Sequence, residues 1–382
     1  MFKRASVRRS WQVFCAIAIA LVVTLMAAAQ SVPSPSTITS GKIGPGSLYE
    51  IAMPALVPWN GELVVYAHGI VDPTLPVRLP AIEPLRDFLT SQGFAVVYSS
   101  YSQNGFAVKD GVQRTHQLRG IFASRMGQPA RTYLFGHSLG ALIALELAER
   151  YPDQYDGAMP ACGLIGGSPA ELAYIGDARV LFDYFFPGVA PGMPFNSPPN
   201  ANLGPVIQAL STGFGAPDFK TVQFANAAKL PASGPSEIVT AGATVIGFGV
   251  VFGNNLIALT NGHVPYDNTE TVYSGSFNDT ALNAGVARFE GGPAGLNYLA
   301  RYYTPTGLLR VPVVTVHTTR DPVVPFFHEQ MYAKTVQDAG ASQFLLQRSV
   351  DSFGHCTFAK GEDIQAFLAL VQWVHTGQKP PF

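Results

Sequence analysis

The chain has 382 residues, 47% hydrophobic and only 13% charged, with 24 Lys and Arg against 25 Asp and Glu. Soluble domains typically carry about 25% charged residues, and there is no basic stripe of the kind nucleic-acid binding needs. Length and apolar content allow two average domains or one large α/β domain with an insertion, and 38 Gly with 30 Pro make the chain rich in loops.

Lys3, Arg4, Arg8 and Arg9 precede an apolar run over residues 13–29 that ends in three alanines. A basic start, an apolar middle and a small-residue end describe a secretory signal peptide, expected over residues 1–29 with cleavage after Ala29. The alternative is a retained anchor, because the run is nearly long enough to span a membrane. The expected location is therefore secreted or periplasmic, with the membrane a partner only through an uncleaved signal. Removing the segment takes away four basic and no acidic residues, leaving 20 against 25 and a net charge of −5. Cys15 leaves with it. Cys162 and Cys356 remain, an even number that permits one disulfide in an exported chain. No Cys/His spacing resembles a metal site, and neither metal nor cofactor is expected.

Residues 30–45, rich in Ser, Pro and Thr, read as a linker. Strands are expected at 48–52, at 62–67 (ending in His68-Gly69-Ile70) and at 94–98, with helical stretches at 82–92 and 110–125. Residues 131–135 form an apolar strand that runs into Gly136-His137-Ser138-Leu139-Gly140 and then an apolar helix over 141–148. Another short strand is expected at 155–159. Short apolar strands alternating with helices argue for a parallel sheet covered on both faces.

That rhythm stops at about residue 163. Up to residue 310 the chain alternates Gly/Pro/Asn-rich loops with apolar patches such as 179–186 and 246–252, and reads as a mostly helical inserted cap. The rhythm resumes with a strand at 311–317 followed by Arg320-Asp321-Pro322, a helix at 326–339, a strand at 343–348 and the loop Gly354-His355-Cys356. Ile364, Phe367, Leu368, Val371 and Val374 follow helical spacing.

Strand, sharp turn and helix are the setting in which Gly-x-Ser-x-Gly means a nucleophile elbow. A serine hydroxyl is a weak nucleophile at its free pKa and needs a base, which in turn needs an orienting acid. Asp321 and His355 follow Ser138 in the order expected for this architecture, each just past the carboxyl end of its own strand. Asp351 is the rival acid, four residues before His355. Among the other histidines, His137 belongs to the elbow and is expected to pack beneath it, His68 lies in the loop after the second strand, and His317 ends a strand. His116, His263, His328 and His375 have no converging position.

These residues carry a resemblance. Residues 48–162 and 311–376 resemble the α/β-hydrolase superfamily in its serine esterase and lipase branch, through His68-Gly69-Ile70, the Ser138 pentapeptide, Arg320-Asp321-Pro322-Val323-Val324-Pro325 and Gly354-His355-Cys356. The resemblance implies an oxyanion hole made by the backbone N–H groups of Ile70 and Leu139. It also implies that the insertion sits where lids of the superfamily enter. Feruloyl esterases and tannases are similar in bracing the base with an adjacent cysteine, which implies a Cys162–Cys356 bridge; two free thiols are the alternative. No cysteine precedes Ser138, so the substrates of those enzymes do not carry over.

The expectation is thus an α/β-hydrolase fold with a signal at 1–29, a linker at 30–45, a core from 46–162 and 311–382, and a cap at 163–310. The expected activity is hydrolysis of an apolar or aromatic, small-molecule or lipid-like ester by Ser138, His355 and Asp321. An amidase or peptidase with the same three residues, and a catalytically silent binding fold, remain as alternatives.

Overall fold

A computed structural model of the chain describes residues 34–198, 201–211, 218–302 and 304–381. The signal expected at 1–29 lies outside the described residues. Among the described residues, strands β1 (Ser36–Ile43), β2 (Ser47–Pro54), β3 (Glu62–Ala67), β4 (Ala95–Ser99), β5 (Arg131–His137), β6 (Gly157–Ala161), β7 (Val313–Arg320) and β8 (Leu345–Phe353) form one sheet. Their order is β1-β2-β4-β3-β5-β6-β7-β8. β2 runs antiparallel to both β1 and β4, and every neighbouring pair from β4 to β8 is parallel.

Of the linker expected at 30–45, residues 30–33 lie outside the described residues and 36–43 form β1 instead. Its Ser- and Thr-rich sequence offers no continuous apolar face, so it lacks the usual strand pattern. It is an edge strand held by its backbone ladder, paired with β2 from Ser36↔Pro54 to Ile43↔Ser47. The connecting Gly44-Pro45-Gly46 turn makes this hairpin possible, with both glycines at positive φ, a region costly for other residues.

The central strands are buried throughout. In β3, Leu63 and Val65 face one apolar cluster while Val64 and Tyr66 face another. In β5, Leu134 and the pair Tyr133 and Phe135 divide in the same way. Parallel strands covered on both faces need apolar residues at every position. Helices α1 (Glu83–Ser91) and α11 (Glu362–Thr376) cover one face with Leu89, Phe367 and Leu370. Helices α2 (Val108–Met126) and α3 (Leu139–Arg150) cover the other with Phe122, Leu142 and Ile143, joined by α10 (Phe327–Asp338) through Tyr332.

Between β6 and β7 the described residues include α4 (Ser168–Phe185), α5 (Gly204–Ser211), α6 (Phe219–Ala227), α7 (Pro235–Leu259), α8 (Asp279–Gly285) and α9 (Pro293–Tyr302). By length and composition alone the 25-residue α7 could cross a membrane. Here it packs against α4, α5 and α6. Phe182, Leu210, Phe224 and Val245 from these four helices share one apolar cluster with Leu63 and Leu134 of the sheet. Burying each such side chain is worth about 1.5–3 kcal/mol, so the insertion is built onto the sheet rather than hung from it.

The chain leaves β3 to one side to form β4 and returns on the other side as β5. Open α/β sheets bind ligands at the carboxyl ends of strands flanking such a reversal. The register Ala67↔Gly136 sets the loop after β3 beside the β5–α3 turn. That turn tolerates no side chain at its glycines. A Cβ on Gly136 would lie 2.1 Å from the Gly140 carbonyl oxygen, and one on Gly140 2.1 Å from that of Ala67. Backbone atoms cannot give way as a flexible side chain would. Gly140→Ala is therefore expected to cost about 1–3 kcal/mol or more, read as a lowered urea midpoint. A midpoint equal to that of the wild type would contradict the close approach.

Candidate active site

Ser138 sits between β5 and α3 with φ 56° and ψ −123°, a conformation that costs a non-glycine residue about 1–3 kcal/mol. Two backbone bonds hold it there: Ser138 N–H donates to Ala161 O at 3.0 Å, and Ala141 N–H donates to Ser138 O at 2.9 Å. The first extends the β5–β6 ladder and the second starts the helix.

His355 follows β8. Its neighbours are fixed on both sides. Gly354 N–H donates to Arg320 O at 3.0 Å, and Thr318 Oγ1 donates to Gly354 O at 2.7 Å. Cys356 is joined by a disulfide to Cys162, whose own N–H donates to Val316 O at 2.8 Å. The imidazole is thus tied to β7 by one neighbour and to the end of β6 by the other. Cys162, His355 and Cys356 lie within 4.8 Å of one another, but the two sulfurs bind each other, which leaves a lone imidazole as ligand.

His355 Nε2 lies 2.8 Å from Ser138 Oγ, and His355 Nδ1 lies 2.7 Å from Asp321 Oδ2. The carboxylate accepts the Nδ1 proton, which leaves Nε2 as an acceptor facing the serine hydroxyl. Asp321 Oδ1 accepts from Val323 N–H at 2.9 Å and Val324 N–H at 3.0 Å. The Asp-Pro-Val-Val sequence forms this turn, in which the carboxylate binds the backbone just ahead of it. The rival Asp351 is exposed and pairs with Arg320 instead. His137 bonds Tyr66 and Asp363 beneath the turn, at 3.2 and 3.3 Å.

Ile70 and Leu139 line a recess with Ser138; Phe106, Leu164, Phe248 and Val323 add to its apolar wall. The Leu139 N–H opens α3, where first-turn donors have no intrahelical acceptor. The loop carrying Ile70 is pinned by His68, which donates from Nδ1 to Gly69 O at 2.7 Å and stacks on Tyr101 at 3.9 Å. Burial lowers the His68 pKa to about 4, so this ring is neutral.

A buried polar layer behind Asp321 is not evident from the pattern of the sequence. His317, fully buried on β7, lies 3.5 Å from Asp321 Oδ2 and 3.4 Å from Glu329 Oε1, and its Nε2 donates to Val324 O at 2.8 Å. Thr315 Oγ1 donates to Glu329 Oε2 at 2.6 Å. Burial pushes the His317 pKa down, but the Asp321 and Glu329 carboxylates beside it outweigh this and raise the value to about 10. Burial likewise pushes Asp321 up, and the charges and hydrogen bonds of His355 and His317 override this to bring it to about 2. One signal was present in the chain: a histidine closing the apolar run Val313-Val314-Thr315-Val316, where a buried strand has no solvent to satisfy it.

Comparison with solved structures supplies the fold class. Feruloyl esterase B from Aspergillus oryzae aligns at TM-score 0.54 and 15% identity over 90% of this chain and 82% of that one. An acylaminoacyl peptidase from Pyrococcus horikoshii aligns over 95% of this chain at TM-score 0.47 and 11% identity, and the chain spans 44% of its length. Brefeldin A esterase, a bacterial protein, aligns at TM-score 0.44 and 12% identity over 91% of this chain and 75% of that one. No protein-family profile and no curated protein matches the sequence. The strand order and the similarity to the feruloyl esterase give the chain the α/β-hydrolase fold.

The buried His317–Asp321 pair makes stability depend on pH in a defined direction. His317 rises from 6.5 to about 10 on folding, so its contribution is full below pH 6.5 and is lost as pH rises toward 10. Asp321 falls from 3.8 to about 2, so its contribution is present above pH 3.8 and is lost as pH falls toward 2. Replacing His317 by Gln removes the cation set between two buried carboxyls, an expected loss of about 3 kcal/mol near pH 6. The gap between wild type and His317→Gln in urea unfolding should narrow between pH 6.5 and 10. A gap that stays constant across that range would show that His317 carries no charge.

Proposed function

We propose that the protein is an exported serine hydrolase that cleaves carboxylic esters through a covalent acyl-enzyme. The observation that carries this reading is the 2.8 Å contact of Ser138 Oγ with His355 Nε2, backed by the 2.7 Å contact of His355 Nδ1 with Asp321. Ser138 Oγ attacks the ester carbonyl carbon while His355 takes its proton. Asp321 holds the imidazole in the required tautomer and stabilises the imidazolium that forms. The backbone N–H groups of Ile70 and Leu139 receive the oxyanion, each worth on the order of a hundredfold in rate. Collapse of the tetrahedral intermediate expels the alcohol, protonated by His355. Water, activated by the same imidazole, then releases the acid.

The helical insertion at 163–310 serves as the lid. Phe248 of α7, which lines the recess with Ser138, supports that role and an apolar or aromatic substrate. The basic and apolar residues of 1–29 support a signal peptide and a secreted or periplasmic location. The chemistry needs no cofactor or metal, and the substrate is a small-molecule or lipid-like ester.

Hydrolysis of p-nitrophenyl esters by the protein without its leader, beside matched p-nitroanilides, tests this reading. Ester turnover should fall at least about a thousandfold in Ser138→Ala, with the anilides cleaved far more slowly than the esters. Ester turnover that persists in the variant would remove Ser138 from its role, and anilides cleaved as fast as esters would favour an amidase.

A further inference from the structure

Resting on that reading of Ser138, we propose that Glu171 is the specificity-determining group of the recess. It would hydrogen-bond a hydroxyl that the substrate carries a few bonds from the scissile carbonyl. The substrate class is then a hydroxylated ester rather than a plain alkyl one.

Glu171 lies in the first turn of α4, where an acidic residue would ordinarily face water and complement the helix dipole. Instead it is buried, only 1% exposed, and it lines the recess with Ser138, Leu139, Ile70 and Val323. Its two oxygens are treated differently. Oε2 accepts from His328 Nε2 at 3.0 Å. The direction of that bond is fixed one step back, where Gly166 N–H donates to His328 Nδ1 at 3.1 Å and leaves the ring proton on Nε2. Oε1 is buried with no hydrogen-bond partner.

A buried polar oxygen without a partner costs about 1–3 kcal/mol. A carboxyl kept only for structure would be satisfied on both sides or replaced by an apolar residue. His328 already satisfies one side, so the free oxygen is a place prepared for a ligand atom.

The chemistry of that atom follows from the state of the acid. Burial, with the nearby Asp321 charge, raises the Glu171 pKa well above the usual carboxylate range. Burial and the His317 charge bring His328 down to about 3. Both shifts favour the neutral forms. With Oε2 accepting from His328, Oε1 is the polar atom left without a partner beside the apolar Ile70, Leu164, Phe248 and Val323. Such an oxygen suits a neutral hydroxyl. The free space of the recess is about 10 Å³, roughly room for one water, which suits a single hydroxyl.

Three esters of similar size test the assignment: ethyl butyrate, ethyl β-hydroxybutyrate and ethylene glycol monobutyrate. They place the hydroxyl nowhere, on the acyl side or on the alcohol side. Hydrolysis is followed titrimetrically for the wild type, Glu171→Gln and Glu171→Leu, and the rate of phosphonylation by a fluorophosphonate reports whether each site is intact. One hydroxylated ester should exceed ethyl butyrate by about tenfold in kcat/KM, and which one identifies the side that the recess receives. The preference should vanish in Glu171→Leu and survive in part in Glu171→Gln, whose amide can still pair with a hydroxyl. Where Glu171→Leu does not fold, the reduced ratio in Glu171→Gln carries the test. Equal kcat/KM values in the wild type, or a preference unchanged in the variants, would overturn the assignment. Phosphonylation without turnover of either hydroxylated ester would do the same. A wild type that neither turns over an ester nor is phosphonylated would instead defeat the Ser138 reading itself.

Discussion

The hydrogen bond between Ser138 Oγ and His355 Nε2 joins residues 217 positions apart, and nothing local to either residue can make it. It exists because β5, β7 and β8 end at the same edge of the parallel part of one sheet. Each partner is then fixed by something other than the bond itself. Ser138 keeps its strained backbone through the hydrogen bonds of its N–H and C=O to Ala161 and Ala141. Gly136 and Gly140 let strand and helix close to a distance that any side chain would block. His355 is held by Gly354 on one side and by the Cys162–Cys356 bridge on the other. The result is an arrangement held by the fold itself, as the proposed chemistry requires, since a preorganised site stabilises a transition state without reorganisation.

The charges of the site follow from the supply of donors rather than from burial alone. Asp321 and Glu171 are both buried carboxyls, and burial pushes both toward the neutral acid. Asp321 receives two backbone N–H groups, the His355 ring and a charged His317, and it stays ionised. Glu171 receives one N–H from a buried ring, and its pKa is raised instead. Two carboxyls in one layer are thus pushed in opposite directions, a pattern of groups that divide labour at a site.

Much of this was legible in the chain. The alternation of apolar strands and helices shows the sheet because a doubly covered parallel strand has no polar alternative. The Ser138 pentapeptide was readable because only glycine fits its two flanking positions, and Asp321 and His355 stand out by following strands in order. β1 was not legible, since an edge strand held by its ladder needs no apolar face and Ser36–Ile43 has none. Strand ends shifted by a few residues for a related reason: β8 runs on to Phe353, past its apolar part, as ladder bonds with β7 continue. The polar layer of His317, Glu329, His328 and Glu171 escaped because its members come from β7, α10 and α4. No spacing within one element reveals side chains that meet only after folding.

The covalent step offers the most direct test of the account. The protein would be treated with a fluorophosphonate, digested and mapped by mass spectrometry, with Asp321→Asn treated in parallel. One phosphonyl group is expected on the peptide carrying Ser138, formed far more slowly in Asp321→Asn because the imidazole loses its tautomer. An adduct on another residue, or equal rates in the two proteins, would contradict it.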